Sequence, residues 1–338
     1  MRPFSPPPFR PDRLIRGGHL QTIASLRSTR EKIGVGQQHV VQLPDGDAIV
    51  LHENASVDGR DFGGREFGSS NQADRSIVLF HGLSGCHGSP YMVRLAARLS
   101  RTGWRVYRVD MRGCGAAWEL SRELSHAGRS EDVLAAIDFV ARRNPTSQLA
   151  AAGVSLGGNQ LLRFAGRIGA GLDSQPEWVH RLDRIAAVAP PIDLLRCSEN
   201  MGRFSRRIYN YYFIRSLFDS IAPRVRERES FHRLVAGRRP KTLFELDDRL
   251  TAPLSGFGGA EDYYRQCGAT SVAADNPVST MVLASNDDPI VPVDCFKNPD
   301  WPATTDVILT ETGGHAGFIG RGRTHWMEDC LVAWMNRL

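Results

Sequence analysis

The sequence predicts an α/β fold: a mostly parallel central sheet flanked by helices, with a helical cap-like insertion late in the chain. Three observations carry this. Short apolar runs such as Ile77–Phe80, Arg105–Val109 and Gln148–Ala152 alternate with segments of helical period, the pattern of strands joined by crossover helices. A G-x-S-x-G turn, Gly153-Val-Ser-Leu-Gly157, stands where one such strand passes into a helix, and such a turn lifts a serine hydroxyl out of a sheet. The rhythm then breaks once, between Pro190 and Asn276, over a stretch too long for a plain loop.

Taken in order, residues 1–35 are rich in proline and arginine and are expected to form an extended arm lying over the body. Residues 36–338 read as one domain. His39–Leu43 and Ala48–Glu53 alternate apolar and polar residues around Pro44-Asp-Gly-Asp47, a hairpin signal. Asp58–Arg75 is polar and glycine-rich and reads as a loop. Ile77–Phe80 is a short buried strand, and Tyr91–Arg101 a helix whose Met92, Leu95, Ala96 and Leu99 share one face. Strand Arg105–Val109 leads to helix Ser130–Arg142, with Val133, Ile137, Val140 and Ala141 inward. Strand Gln148–Ala152 delivers the serine turn, and helix Gly158–Ile168 follows it. Arg184–Ala189, Thr280–Ala284 and Val307–Leu309 are later strands, and His325–Met335 is the last helix. The insertion, about 190–276, carries the aromatic run Phe204–Phe218 and is the candidate cap over a site.

Bulk properties exclude several classes. The net charge of +5 comes mostly from arginines in 2–30 and 203–239, which read as a solvated basic surface rather than a nucleic-acid site. Weak peripheral attraction to anionic membranes is the second reading of those arginines. Six cysteines at 86, 114, 197, 267, 295 and 330 form no C-x-x-C pair and read as reduced, mostly buried residues. The N-terminus lacks the apolar core of a secretory signal, and no run approaches the roughly 20 apolar residues of a membrane span. A cytoplasmic protein with no integral membrane segment is expected.

A serine on such a turn needs a base, an acid to orient the base, and donors for an oxyanion. On this kind of turn the acid and then the histidine follow the nucleophile in sequence, which leaves His180, His232, His315 and His325. Only His315 sits in a glycine-bordered loop after a strand, Thr312-Gly-Gly-His-Ala-Gly-Phe318. His325 reads as a surface or packing residue. The acid is expected after strand Met281–Ala284, where Asp287 and Asp288 stand side by side. Pro289 biases Asp288 toward an extended backbone, so Asp288 is preferred, with Asp287 capping the turn or the following helix. The oxyanion donors are expected to be the backbone amides of Leu156 and, from His81-Gly-Leu-Ser-Gly85, of Leu83.

These motifs resemble the YheT-like branch of the α/β-hydrolases, esterases related to eukaryotic alpha/beta-hydrolase-domain lipases and phospholipases. The resemblance runs through Gly18-His-Leu-Gln-Thr-Ile23, His81–Gly85, Asp110-Met-Arg-Gly-Cys-Gly115, Ser125-His-Ala-Gly128 and Gly153–Asn159. It continues through Asp247–Phe257, Asp262-Tyr-Tyr264, Asn286–Pro292 and Gly313–Phe318. The arm motif of the branch reads Asn-Pro-His-Leu-Gln-Thr, and Gly17-Gly18 replaces Asn-Pro here. The resemblance implies a Ser155, Asp288, His315 triad and carboxylic-ester hydrolysis with neither metal nor organic cofactor.

Arg112 and His126, with His81 and Asp287, are expected around the triad, Arg112 and His126 bracing loops rather than binding substrate. Tyr209, Tyr211, Tyr212 and Phe213 either line an acyl pocket or pack a helix on the core. The leading reading is a serine carboxylesterase for short- to medium-chain acyl esters. A lipase or lysophospholipase and a non-catalytic ligand-binding protein are the alternatives.

Overall fold

The computed structural model describes residues 3–27, 29, 31–34, 36–54, 75–297 and 299–337. The loop expected over Asp58–Arg75 lies outside them, except for Arg75, which opens a strand.

The arm is not extended throughout. Its prolines end at Pro11, and helix α1 (Gly17–Ser25) forms beyond them, burying Gln21, Thr22, Ala24 and Ser25. The proline-rich part packs through rings, Phe4 on Trp334 and Phe9 on Trp326.

The sheet has eight strands: β1 (Gln37–Gln42), β2 (Ala48–Asn54), β3 (Arg75–Phe80), β4 (Trp104–Asp110), β5 (Gln148–Val154), β6 (Leu182–Val188), β7 (Ser279–Ser285) and β8 (Thr305–Thr310). Their order is β1-β2-β4-β3-β5-β6-β7-β8. β1 and β2 form the antiparallel hairpin expected around Pro44–Asp47, and β2 pairs antiparallel with β4. From β4 to β8 every pairing is parallel.

The central strands are largely apolar on both faces because both are covered. Ile77 and Leu79 pack with Met92, Leu95, Trp334 and Val106, under helices α2 (Pro90–Arg101) and α12 (Trp326–Met335). Val78 and Phe80 pack on the other side with Val133, Ile137, Leu161 and Phe164, from α3 (Ser130–Arg143) and α4 (Leu156–Gly169). Each such aliphatic or aromatic side chain contributes about 1.5–3 kcal/mol on burial. His325, placed in the last helix by its sequence pattern, instead precedes it, in a two-residue strand β10 (Thr324–His325) paired with β9 (Ile319–Gly320).

The insertion is helical: α5 (Leu194–Gly202), α6 (Arg207–Ser220), α7 (Pro223–Arg226), α8 (Glu229–Val235), α9 (Leu243–Leu246), a π-turn Asp247–Thr251, α10 (Ala252–Leu254) and α11 (Ala260–Cys267). Part of it closes on a small core of its own around Ile214, Ile221, Val225, Phe231, Leu246 and Leu250.

Candidate active site

The site forms at the carboxyl ends of the parallel strands, where a doubly wound sheet opens. Ser155 follows β5 with φ +53° and ψ −118°, a conformation that costs a non-glycine residue about 1–3 kcal/mol. The flanking glycines have no room for side chains. A Cβ at Gly153 would stand 2.4 Å from the Gly157 carbonyl, and one at Gly157 would stand 2.7 Å from the His81 oxygen. The helix after the turn begins at Leu156, two residues earlier than the sequence pattern suggests, so its first free amides lie beside the serine.

The structure brings the predicted partners together. The His315 ring lies with Nε2 2.8 Å from Ser155 Oγ and Nδ1 2.9 Å from Asp288 Oδ2. A carboxylate only accepts, so Nδ1 carries the proton and Nε2 accepts from the serine hydroxyl. Asp288 Oδ1 accepts the amides of Ile290 (2.7 Å) and Val291 (3.0 Å), which fixes the carboxylate and leaves Oδ2 for the histidine.

Asp287 does not cap its own turn or the following helix. Its Oδ1 accepts the amides of Gly313 (2.9 Å) and Gly314 (2.8 Å) and the Ser285 hydroxyl (3.1 Å), so it ties the β7 turn to the loop that carries His315. Adjacent acids thus point apart, one to the ring and one to the ring's loop.

A second brace comes from the arm, and sequence reasoning missed it. Thr22 Oγ1 accepts the His315 amide at 2.8 Å and donates to the Gly18 carbonyl. The Gln21 side chain accepts from the Ile319 amide and donates to the Ile319 carbonyl. A Cβ at Gly18 would fall 1.7 Å from the Asp287 oxygen, which makes glycine mandatory there. The Gly18-His-Leu-Gln-Thr-Ile23 motif was the available signal: polar residues at helical spacing in an arm need partners in the body.

In the loop after β3, the Gly82 amide donates to Tyr91 Oη at 2.7 Å, and a Cβ at Gly82 would be 3.2 Å from Ser155 Cβ. The amides of Leu83 and Leu156 have no acceptor among the described residues. His81 is fully buried, with Nδ1 donating to the Gly82 carbonyl and Nε2 accepting the Met111 amide; burial pushes its pKa down, so it holds the loop as a neutral ring.

Arg112 and His126 each hold loop segments together. Arg112 is held by Asp132 through two hydrogen bonds of 2.8 and 2.7 Å and by Asp45 and Asp47. Despite its burial, these carboxylates raise its pKa. It ties the hairpin turn to the start of α3. His126 accepts the Gly128 amide and packs edge-on against Phe257 and Tyr263; burial holds its pKa well below the usual value.

One cluster carried no sequence signal, because its members come from three strands' ends and loops. His52 Nε2 and His87 Nδ1 each lie 2.8 Å from Asp110 Oδ2, and the three ligand atoms fall within 4.8 Å of one another. Asp110 also accepts the amides of His87 and Ala116. The chain's own donors therefore occupy the carboxylate, and its pKa is lowered by them.

Beside Leu83 and Leu156 a cavity of about 50 Å³ reaches under the insertion, lined by Leu124, Leu217, Ile221, Leu246 and Leu250. The aromatic cluster does not line it. Tyr211 and Tyr212 are exposed, and Tyr209 turns to hydrogen-bond His19. Helix α6 spends its apolar residues Ile214 and Leu217 on the cap core and leaves the tyrosines outside.

A parallel sheet of this order, with a serine strained on the turn after its middle strand, is the frame of a hydrolase. The chain belongs to the alpha/beta hydrolase fold family, whose model matches residues 75–321, and is YheT-like within it. It is 28% identical over 334 residues to "Putative esterase YheT" of Escherichia coli, covering 97% of this chain and 93% of that one. It is 26% identical to "Medium-chain fatty acid ethyl ester synthase/esterase 2" of Saccharomyces cerevisiae over 77% of this chain and 62% of that protein. Among solved structures, the Pyrococcus furiosus esterase Pf2001 shares the fold with a TM-score of 0.54 and 12% identity, over 87% of this chain and 92% of that one. No helix among the described residues is long and apolar enough to cross a membrane.

Proposed function

We propose that the protein hydrolyses carboxylic esters of short- to medium-chain acids through an acyl-enzyme. The observation that supports this most is the unbroken hydrogen-bonded chain from Asp288 through His315 to Ser155, beside two unpaired amides. In the first half-reaction His315 Nε2 takes the Ser155 proton as Oγ attacks the acyl carbon. The carbonyl oxygen becomes an oxyanion between the Leu83 and Leu156 amides; one such donor is worth about 10²–10³ in rate. The imidazolium, steadied by Asp288, then protonates the departing alkoxide, and an alcohol leaves. In the second half, His315 deprotonates water, which attacks the acyl-serine. The acid leaves and Ser155 recovers its proton.

The acyl chain is assigned to the cavity between Leu124, Leu217 and Leu250. At about 50 Å³ it has room for a short chain, since about 10–15 Å³ of such space holds one water-sized group, and longer chains require α6 or the π-turn to yield. All six cysteines are free, which suits a reducing compartment such as the cytoplasm.

Purified protein is expected to cleave p-nitrophenyl acyl esters, and Ser155→Ala to lower kcat by about 10⁴-fold or more with an unchanged melting temperature. Equal rates for the two proteins, or no turnover at any chain length together with no covalent labelling of Ser155 by a fluorophosphonate, would sink the proposal.

A further inference from the structure

Large apolar side chains are exposed at thirteen places among the described residues, and eight of them fall on two helical segments. Leu14, Leu20, Ile23 and Leu26 lie on or beside α1, and Phe204, Ile208, Tyr211 and Tyr212 on or just before α6. The segments are far apart in sequence but joined in space. His19 Nδ1 meets Tyr209 Oη at 2.9 Å, the two rings stack with centroids 5.5 Å apart, and Arg206 Nη1 reaches His19 Nε2. Along α1, residues 19, 20, 23, 26 and 27 face outward; along α6, Ile208, Tyr211, Tyr212 and Arg215 do. Both stripes border the same seam.

The charge on these stripes has one sign up to Asp219 near the end of α6. Residues 13–27 and 203–215 contain seven arginines, Arg13, Arg16, Arg27, Arg203, Arg206, Arg207 and Arg215, and no aspartate or glutamate. Among the described residues only Arg215 pairs with a carboxylate, that of Asp219. Arg207 lies over the Phe204 ring at 4.3 Å, keeping a cation beside an exposed aromatic. Aliphatic and aromatic tips among arginines without acids are the composition of a helix that lies in a membrane interface.

We propose that the α1–α6 face docks the protein on an anionic lipid bilayer, its apolar tips entering the headgroup boundary and its arginines meeting lipid phosphates. A second copy of the chain is a poorer occupant, because a two-fold contact would set these arginines against one another. The position of the face matters for the site. The same α1 holds the His315 loop through Gln21 and Thr22, and the far end of α6 supplies Leu217 and Ser220 to the acyl cavity. On the esterase reading, the docked protein would draw ester substrates from the lipid phase; the docking itself does not rest on that reading.

Vesicle co-sedimentation of the full chain tests the docking without any turnover. The protein is expected to bind vesicles holding about 30% phosphatidylglycerol, to bind pure phosphatidylcholine far more weakly, and to release in about 0.5 M salt. Phe204→Asp with Ile208→Asp, and separately Ile23→Asp, should lower partitioning about tenfold or more. Arg203→Gln with Arg207→Gln should lower it severalfold and flatten its salt dependence. All five positions carry exposed side chains, which permits these changes without unfolding, checked by melting temperature and by unchanged cleavage of a soluble ester. Ser155→Ala should bind as wild type does, so docking and hydrolysis fail separately. No sedimentation with either vesicle, equal sedimentation of the aspartate variants, or a lipid-free dimer that those variants dissociate would overturn the proposal.

Discussion

The sheet end and the insertion above it meet around the same serine but are built differently. Ser155 comes directly after β5, Asp288 three residues after β7 and His315 five after β8; β5 and β7 are almost wholly buried, and β8 is the half-buried edge of the sheet. The insertion uses helices of three to fourteen residues around a small separate core, and outside it lies an open groove of about 1410 Å³ lined by Arg207, Arg226, Arg238 and Arg249. Reacting groups need positions held to a fraction of an ångström, which packed strands provide. Selection of an acyl group needs a wall that gives, which short helices with few core contacts provide. Chemistry and selectivity should therefore respond to different substitutions.

The largest effect is expected in the sheet end. Asp288→Asn removes the charge that steadies the His315 imidazolium and disturbs its tautomer, and should lower kcat by about 10³–10⁴-fold with little change in melting temperature. Asp287→Ala breaks three bonds to the loop and its neighbour Ser285 without touching the ring. It should lower kcat about tenfold and also reduce stability by about 1–3 kcal/mol, read as a lower melting temperature. A loss in Asp287→Ala as deep as in Asp288→Asn, at unchanged stability, would exchange their roles.

A smaller effect is expected in the insertion. Leu217 is partly buried against the cap core and lines the cavity. Leu217→Ala lengthens that cavity and should move the preferred acyl chain by about two or three carbons, through a severalfold change in kcat/KM, since a methylene in an apolar pocket is worth about 1–3 kcal/mol. An unchanged chain-length profile would place the acyl group elsewhere, and the division of labour between sheet and insertion would fall with it.

Local signals carried most of this architecture, and the gaps have physical causes. Strand and helix periods and the G-x-S-x-G turn are visible in a few consecutive residues, so the sheet and the order of serine, acid and histidine were legible. The α1 helix was not, because proline content upstream masked a segment whose stability comes from burying Gln21, Thr22 and Ala24 on the body. Asp287's partners, Gly313 and Gly314, lie 26 and 27 residues away, beyond the reach of turn rules. The tyrosines of α6 were ambiguous because a helical stripe looks the same whether it faces a cavity, a core or solvent. Only the competing apolar residues Ile214 and Leu217, which take the inward face, decide it.

The smallest expected effect separates the two regions by pH. In the body, His81, His126 and His325 all have pKa values lowered chiefly by burial, that of His325 to about 4. The unfolded chain binds these protons more readily, so their contribution is present above the ordinary histidine value and is lost as pH falls toward 4. In the insertion, burial raises the Asp247 carboxyl to about 6, against the hydrogen bond it accepts from Tyr264 at 2.7 Å. Here the folded state holds the proton, so the contribution is present below the ordinary carboxyl value and is lost as pH rises through about 6. Asp247→Asn keeps an acceptor for Tyr264 and has no charge to bury. The variant should match wild type near pH 4 and exceed it above pH 6 by on the order of 2 kcal/mol, measured as melting temperature across that range. His325→Gln should act in the other direction, flattening the acid side of the curve and leaving neutral pH unchanged. If Asp247→Asn gave the same curve as wild type at every pH, the Asp247 carboxyl would be solvated, and the insertion would be open to water as far as its own core.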